Sequence, residues 1–228
     1  MVSKTRLTAL VRALDAAATL ADLDERPDLL RIRDERGRTW LHLTASIPVG
    51  DDPAKTAASL ALADGLLARG LDIDDAAFME NAWRATPLWY AVAHGQNLAL
   101  AEFLLGRGCN PDFCLFAAAW NRDVEAIRLL RDYGAPMEAS EFIAAVGWSR
   151  FEAAEEFLRQ GADVDAVGPD GRTALHMMLK KGSPAEHLRM MLRLGARTDI
   201  PDAKGQTVAE ILSRKKDPAY RDLLAERP

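Results

Sequence analysis

Residues able to do chemistry are sparse in this chain, and their spacing argues against a reaction. Four histidines stand at positions 42, 94, 176 and 187. No two lie at i and i+4, and none sits beside a cysteine, so a zinc-binding spacing is missing. Cys109 and Cys114 bracket Asn-Pro-Asp-Phe without a second Cys/His pair, which fits packing or a solvent-facing thiol better than a metal. No serine occupies a Gly-x-Ser-x-Gly turn, and no glycine-rich phosphate loop occurs. The segment 46–56 offers only Asp51, Asp52 and Lys55 as titrating groups. A nucleophile, a base and an orienting group are never assembled, so no catalytic residue, metal ligand or cofactor is expected.

The elements that would position such residues are repeated. Gly70, Gly108, Gly134, Gly161 and Gly195 each follow an apolar pair or triplet, such as Phe103-Leu104-Leu105 or Leu129-Leu130. A glycine directly after an apolar helical stripe predicts a left-handed helix end. Upstream stand Thr39-Trp40-Leu41-His42, Thr86-Pro87-Leu88-Trp89, Thr173-Ala174-Leu175-His176 and the degraded Thr207-Val208-Ala209-Glu210. Threonine caps a helix start, and proline at the first helical position forfeits no hydrogen bond.

This pattern resembles the ankyrin repeat, with its period of 33 residues and its Thr-Pro-Leu-His-x-Ala signature. The best match is Asp163 to Gly195; Phe142 to Leu175 spans 33 residues and Leu175 to Ala209 spans 34. Elsewhere the register is irregular. Leu41 to Leu88 is 47 residues because of the insertion at 46–56, whereas Leu88 to Leu115 and Leu115 to Phe142 are 27 each. The missing residues fall where the family carries its hairpin finger, so these two connectors are expected to lack one. The resemblance implies an all-α fold with short hairpin fingers, an α-solenoid of about five to six stacked helix-turn-helix units. One domain over 1–228 is expected, with a helical cap at 1–35 (Thr5 to Arg33), repeats over 36–202 and a capping repeat at 203–228 (Gln206 to Glu226). It also implies that the Thr and His of the signature bond locally, which gives His42 and His176 structural duty. Leu104, Leu130 and Leu158 are expected in the contacts between units.

In such arrays the concave face is formed by the fingers and the first helix of each unit. The resemblance therefore assigns partner contact to Ala93 and His94, Trp120 and Asn121, Gly147 and Trp148, and Lys180 and Lys181, with Trp83 and Arg172 on fingers. A stripe of Trp83, His94, Trp120 and Trp148 would leave large apolar area in water, which favours a covering partner. The competing arrangement turns Trp120 and Trp148 inward, into space left by the missing fingers.

The composition fits this picture. Aromatics are 7% of the 228 residues, while Leu and Ala dominate, as close-packed helices prefer. A net charge of −5 repels phosphate backbones and anionic lipid, so neither nucleic acid nor membrane is an expected partner. The amphipathic start of the chain does not read as a signal peptide, and two cysteines so close in sequence suit a reducing, cytoplasmic setting. Residues 111–170 carry twelve Asp/Glu against five Lys/Arg, and 171–228 carry seven against twelve. With Asp72, Asp74, Asp75 and Glu80, this asymmetry suggests a protein partner with a basic surface. The expected function is non-enzymatic protein binding: a bacterial-type immunity protein or inhibitor of a toxin or enzyme, or alternatively a secreted effector or regulatory adaptor.

Overall fold

Apolar stripes at helical spacing fold as helices along the chain, broken by turns at the glycines and by short hairpins. The computed structural model describes residues 1–225 apart from Ala82 and Pro169, so Glu226, in the expected C-terminal cap, lies outside the described residues. Two compact units are present: Met1–Ala118 with Asp132–Pro136, and Ala119–Arg131 with the chain from Met137 on.

The first unit holds α1 (Lys4–Arg12), α2 (Ala16–Glu25), α3 (Trp40–Ala45) and α4 (Pro53–Ala68). A hairpin of β1 (Met79–Glu80) and β2 (Trp83–Arg84) follows, antiparallel with Glu80 opposite Trp83, and then α5 (Pro87–Tyr90) and α6 (Leu98–Gly106). Helix α3 is buried on every side because α1, α4 and α5 all pack on it. Leu41, Leu62, Leu66, Leu88, Leu100 and Leu104 are sealed from solvent, each contributing about 1.5–3 kcal/mol of apolar burial.

Helix α5 continues as a π-helical turn over Ala91–Gly95 that closes at Gln96 in the left-handed region, φ 45°. The widened turn holds one more residue than the expected register, so His94 no longer sits directly before the residue that ends the helix. Gly95 passes so close to α3 that a Cβ would run into the carbonyl oxygen of Ala45.

Helices α7 (Cys114–Asn121) and α8 (Val124–Asp132) each contribute residues to both units. The second unit continues with α9 (Ala139–Gly147), α10 (Phe151–Arg159), α11 (Ala174–Lys181), α12 (Ala185–Arg193), α13 (Val208–Ser213) and α14 (Pro218–Arg221). Helix α9 packs on α10 and α11, and α11 packs on α12 and α13. Isolated bridges Val167–Thr173 and Pro201–Thr207 close two fingers, while connectors 107–113 and 133–138 hold no strand among the described residues.

All five anchor glycines adopt positive φ, between 82° and 94°. Leu104 and Leu130 are fully buried, but Leu158 is only half-buried, and Phe157 takes the core place instead. Because α10 begins at Phe151, the inward stripe runs through Ala153, Ala154 and Phe157, leaving Leu158 at its edge.

Candidate functional site

The chemistry repeated in the Thr and His pairs is local. In front of α3, the imidazole Nδ1 of His42 accepts the Thr39 backbone N–H at 3.2 Å and lies 2.8 Å from the Thr39 hydroxyl. Its Nε2 lies 2.9 Å from the Asp75 carbonyl and 3.2 Å from that of Ala85, so it is the donating nitrogen. Burial holds this imidazole neutral, its pKa lowered to about 4. His176 repeats the arrangement, with Nδ1 against Thr173 and Nε2 donating to the Gln206 carbonyl at 3.0 Å. Each histidine thus ties its own helix start to the finger that follows it.

Trp89 occupies the same register place after Thr86-Pro87-Leu88. An indole has no acceptor nitrogen, so it cannot return a bond to Thr86, whose hydroxyl accepts the Trp89 N–H at 3.3 Å. The ring turns instead to other aromatics of the first unit: edge-on to Trp83 at 5.1 Å, to Tyr90 at 5.2 Å and to His94 at 5.3 Å. Tyr90 and His94 stack at 5.4 Å, and Phe78 meets Trp83 at 5.7 Å. Trp83 and His94 are therefore brought together through Trp89, a residue outside the expected stripe whose signal in the sequence is a tryptophan in a histidine register. Trp83 and Trp89 are half-buried, His94 is exposed, and Phe78 (53%) and Met79 (59%) are exposed at the hairpin. Desolvation first, then Arg38 and Arg36, lower the pKa of His94.

In the second unit Trp120, on the last turn of α7, is 54% exposed. It meets the half-buried ring of Trp148 edge-on at 5.1 Å and 86°. The Arg150 guanidinium lies 5.2 Å from the Trp120 ring centroid, and its Nε donates to the Trp120 carbonyl at 3.1 Å. Asn121 and Gly147 are half-buried beside these rings in sequence. Lys180 and Lys181 are exposed on the last turn of α11, where positive charge suits the helix dipole. Arg172 is half-buried and paired with Asp170.

The acidic residues are largely committed to the fold. Asp75 accepts from the Arg33 guanidinium at 2.7 Å, Asp74 from the Asn110 N–H at 2.8 Å, and Asp72 from the Asp74 N–H at 3.0 Å. Glu156, 2% exposed, receives Arg128, Gln160 and Arg159, and chiefly the Arg128 hydrogen bond draws its pKa down to about 2. Three acids expected to attract a basic partner thus serve internal bonds, although Asp72 stays exposed, as does Glu80 on β1. Cys109 and Cys114 are free and buried, and desolvation raises both thiol pKa values. Among the described residues no group of three or more His, Cys, Asp or Glu is placed to hold a metal ion. No helix among them is long and apolar enough to cross a membrane.

Residues 83–114 match the family model for the ankyrin repeat. The chain is 35% identical over 140 residues to the human protein named ankyrin repeat and SOCS box protein 18, across 54% of this chain and 28% of that one. It therefore spans little more than a quarter of that relative's length. The crystal structure of the human ASB11 ankyrin repeat domain aligns over 97% of each chain with a TM-score of 0.71 at 17% identity. From the positive-φ glycines, the Thr–His helix starts and these likenesses together, the chain has the all-α fold of an ankyrin-repeat domain, with residues 83–114 matching the repeat itself.

Proposed function

We propose that this chain is a non-enzymatic module that binds one protein partner, with Trp120 as its central contact in the second unit. The carrying observation is an indole 54% exposed yet held in place by Trp148 and Arg150. A pre-positioned ring of this size supplies large contact area at little entropic cost, and tryptophan is the residue most enriched where binding energy concentrates. Trp83 and His94, with Trp89, Phe78 and Met79, form the corresponding surface of the first unit. Asn121, Trp148, Arg172, Lys180 and Lys181 complete the proposed contacts.

The test is native co-purification from the source cell, followed by Trp120→Ala. The variant is expected to weaken capture of a stoichiometric partner by about 2 kcal/mol or more, roughly thirtyfold, with an unchanged melting temperature. Unaltered affinity, or no stoichiometric partner, defeats the reading.

Two finer roles divide on where that partner resides. An immunity or inhibitor protein of bacterial type meets its toxin or enzyme in the producing cell's cytoplasm, a setting that suits two free, buried thiols. A regulatory adaptor or secreted effector acts on a cellular or host protein, and the likeness to a human ankyrin-repeat protein favours this second role.

A further inference from the structure

At the basic end of the second unit, a cleft of about 340 Å³ opens between the end of α11, the 201–207 finger and α13. Leu179 and Ile211 give it an apolar floor, beside the His176–Gln206 hydrogen bond. Arg172, Lys180, Lys204 and Arg214 rim it, with Asp202 as the one acid. Asp202, the single acid against four cations, offsets only part of this rim. Its Oδ1 accepts the backbone N–H groups of Lys204 and Gln206 at 2.8 and 3.0 Å, and its Oδ2 lies 4.0 Å from Arg172. Arg172 is further occupied by Asp170. The side chains of Lys180, Lys204 and Arg214 make no ion pair within the described residues, although this chain is acidic overall.

We infer that this cleft docks an acidic peptide segment of the protein partner, with carboxylates on the Lys180, Lys204 and Arg214 rim and one apolar side chain on Leu179 and Ile211. The inference rests on the binding-module reading and deepens it by assigning the chemistry of one contact. It also reverses, at this end of the molecule, the basic partner surface expected from the acid count. Carboxylates on a protein fit better than a nucleic acid, for two reasons. The floor is apolar, and the net charge of −5 opposes a polyanion tracking across the surface.

The test uses fluorescence anisotropy on the full chain. The probe is a short labelled peptide of leucine flanked by glutamates, with glutamine-flanked and lysine-flanked versions as controls. The glutamate peptide is expected to bind, more weakly as salt rises, while neither control binds. Lys180→Glu with Arg214→Glu, both exposed positions, should raise its Kd at least about tenfold with unchanged circular dichroism and melting temperature. Lys204→Glu alone should give a smaller rise, and Trp120→Ala should give none. Absence of binding by the glutamate peptide, equal binding by the glutamine version, indifference to charge reversal, or equal capture of a single-stranded oligonucleotide overturns the proposal. A native partner that is lost with Trp120→Ala but indifferent to charge reversal sinks the cleft and leaves the module standing. Peptide binding without any stoichiometric native partner sinks the module and leaves the cleft.

Discussion

At position 42 a single side chain links helix start, finger and acid sensitivity. His42 uses Nδ1 as acceptor and Nε2 as donor, so protonation removes the acceptor needed by Thr39 and buries a charge. With its folded pKa near 4 and an ordinary value of 6.5 when unfolded, unfolding takes up a proton between these values. The resulting stabilisation is complete above pH 6.5 and declines as pH falls toward 4. Urea unfolding at a series of pH values should show this slope above the carboxylate range, and His42→Gln should flatten it while lowering stability throughout. The exposed His94, shifted in the same direction, should remove less of the slope when changed to Gln. An unchanged slope in His42→Gln would show that another group takes up the proton. Glu156 acts lower: its stabilisation is present above pH 4.5 and fades toward pH 2.

Helix ends decide what each element presents. Helix α11 closes on Gly182 at φ 69°, but the corresponding places after α7 and α9 are Arg122 at φ 60° and Ser149 at φ 58°. Left-handed backbone costs a side-chain-bearing residue about 1–2 kcal/mol, and glycine's greater freedom when unfolded offsets part of that. Ser149→Gly, at an exposed position, is therefore expected to stabilise the protein by about 1 kcal/mol, read as a higher urea midpoint. In the opposite direction, Leu104→Ala should cost about 2–5 kcal/mol, because a fully buried side chain leaves a cavity between packed helices. Leu158→Ala should cost clearly less, since that side chain lies at the edge of the α10 stripe. Equal losses at 104 and 158 would contradict the burial described for α10.

Charge and thiols are features of the whole molecule. The acidic and basic stretches read from residue counts are unequal as surfaces. Asp72, Asp74, Asp75 and Glu156 serve internal bonds, whereas Lys180, Lys204 and Arg214 remain available. Direct pairing with a partner's charges is thus easier at the basic end, while the bonded carboxylates still count in the long-range field. Cys109 and Cys114 both belong to the first unit, and burial keeps them as thiols. Their reaction with an aromatic disulfide reagent should be slow in native buffer and accelerate in step with unfolding as urea is added. Rapid native labelling would place a thiol at the surface.

Repeat identity was legible in the residues themselves, because a left-handed helix end requires the same backbone wherever it occurs and a Thr-x-x-His start makes its first bonds within four residues. The places of Trp120, Trp148, Lys180 and Lys181 before their helix ends came instead from the resemblance to the repeat, since α7 and α9 close on Arg122 and Ser149 rather than on glycine. Tertiary structure decided the rest. The π-helical turn at Ala91–Gly95 answers the close approach of Gly95 to Ala45, a contact between distant stretches of chain. Trp89 reaches Trp83, beyond its local neighbours Tyr90 and His94, because β2 brings that ring beside α5. Likewise, which charges stay available depends on partners far along the chain, such as Arg33 for Asp75 and Arg128 for Glu156, and residue counts carry no record of those pairings.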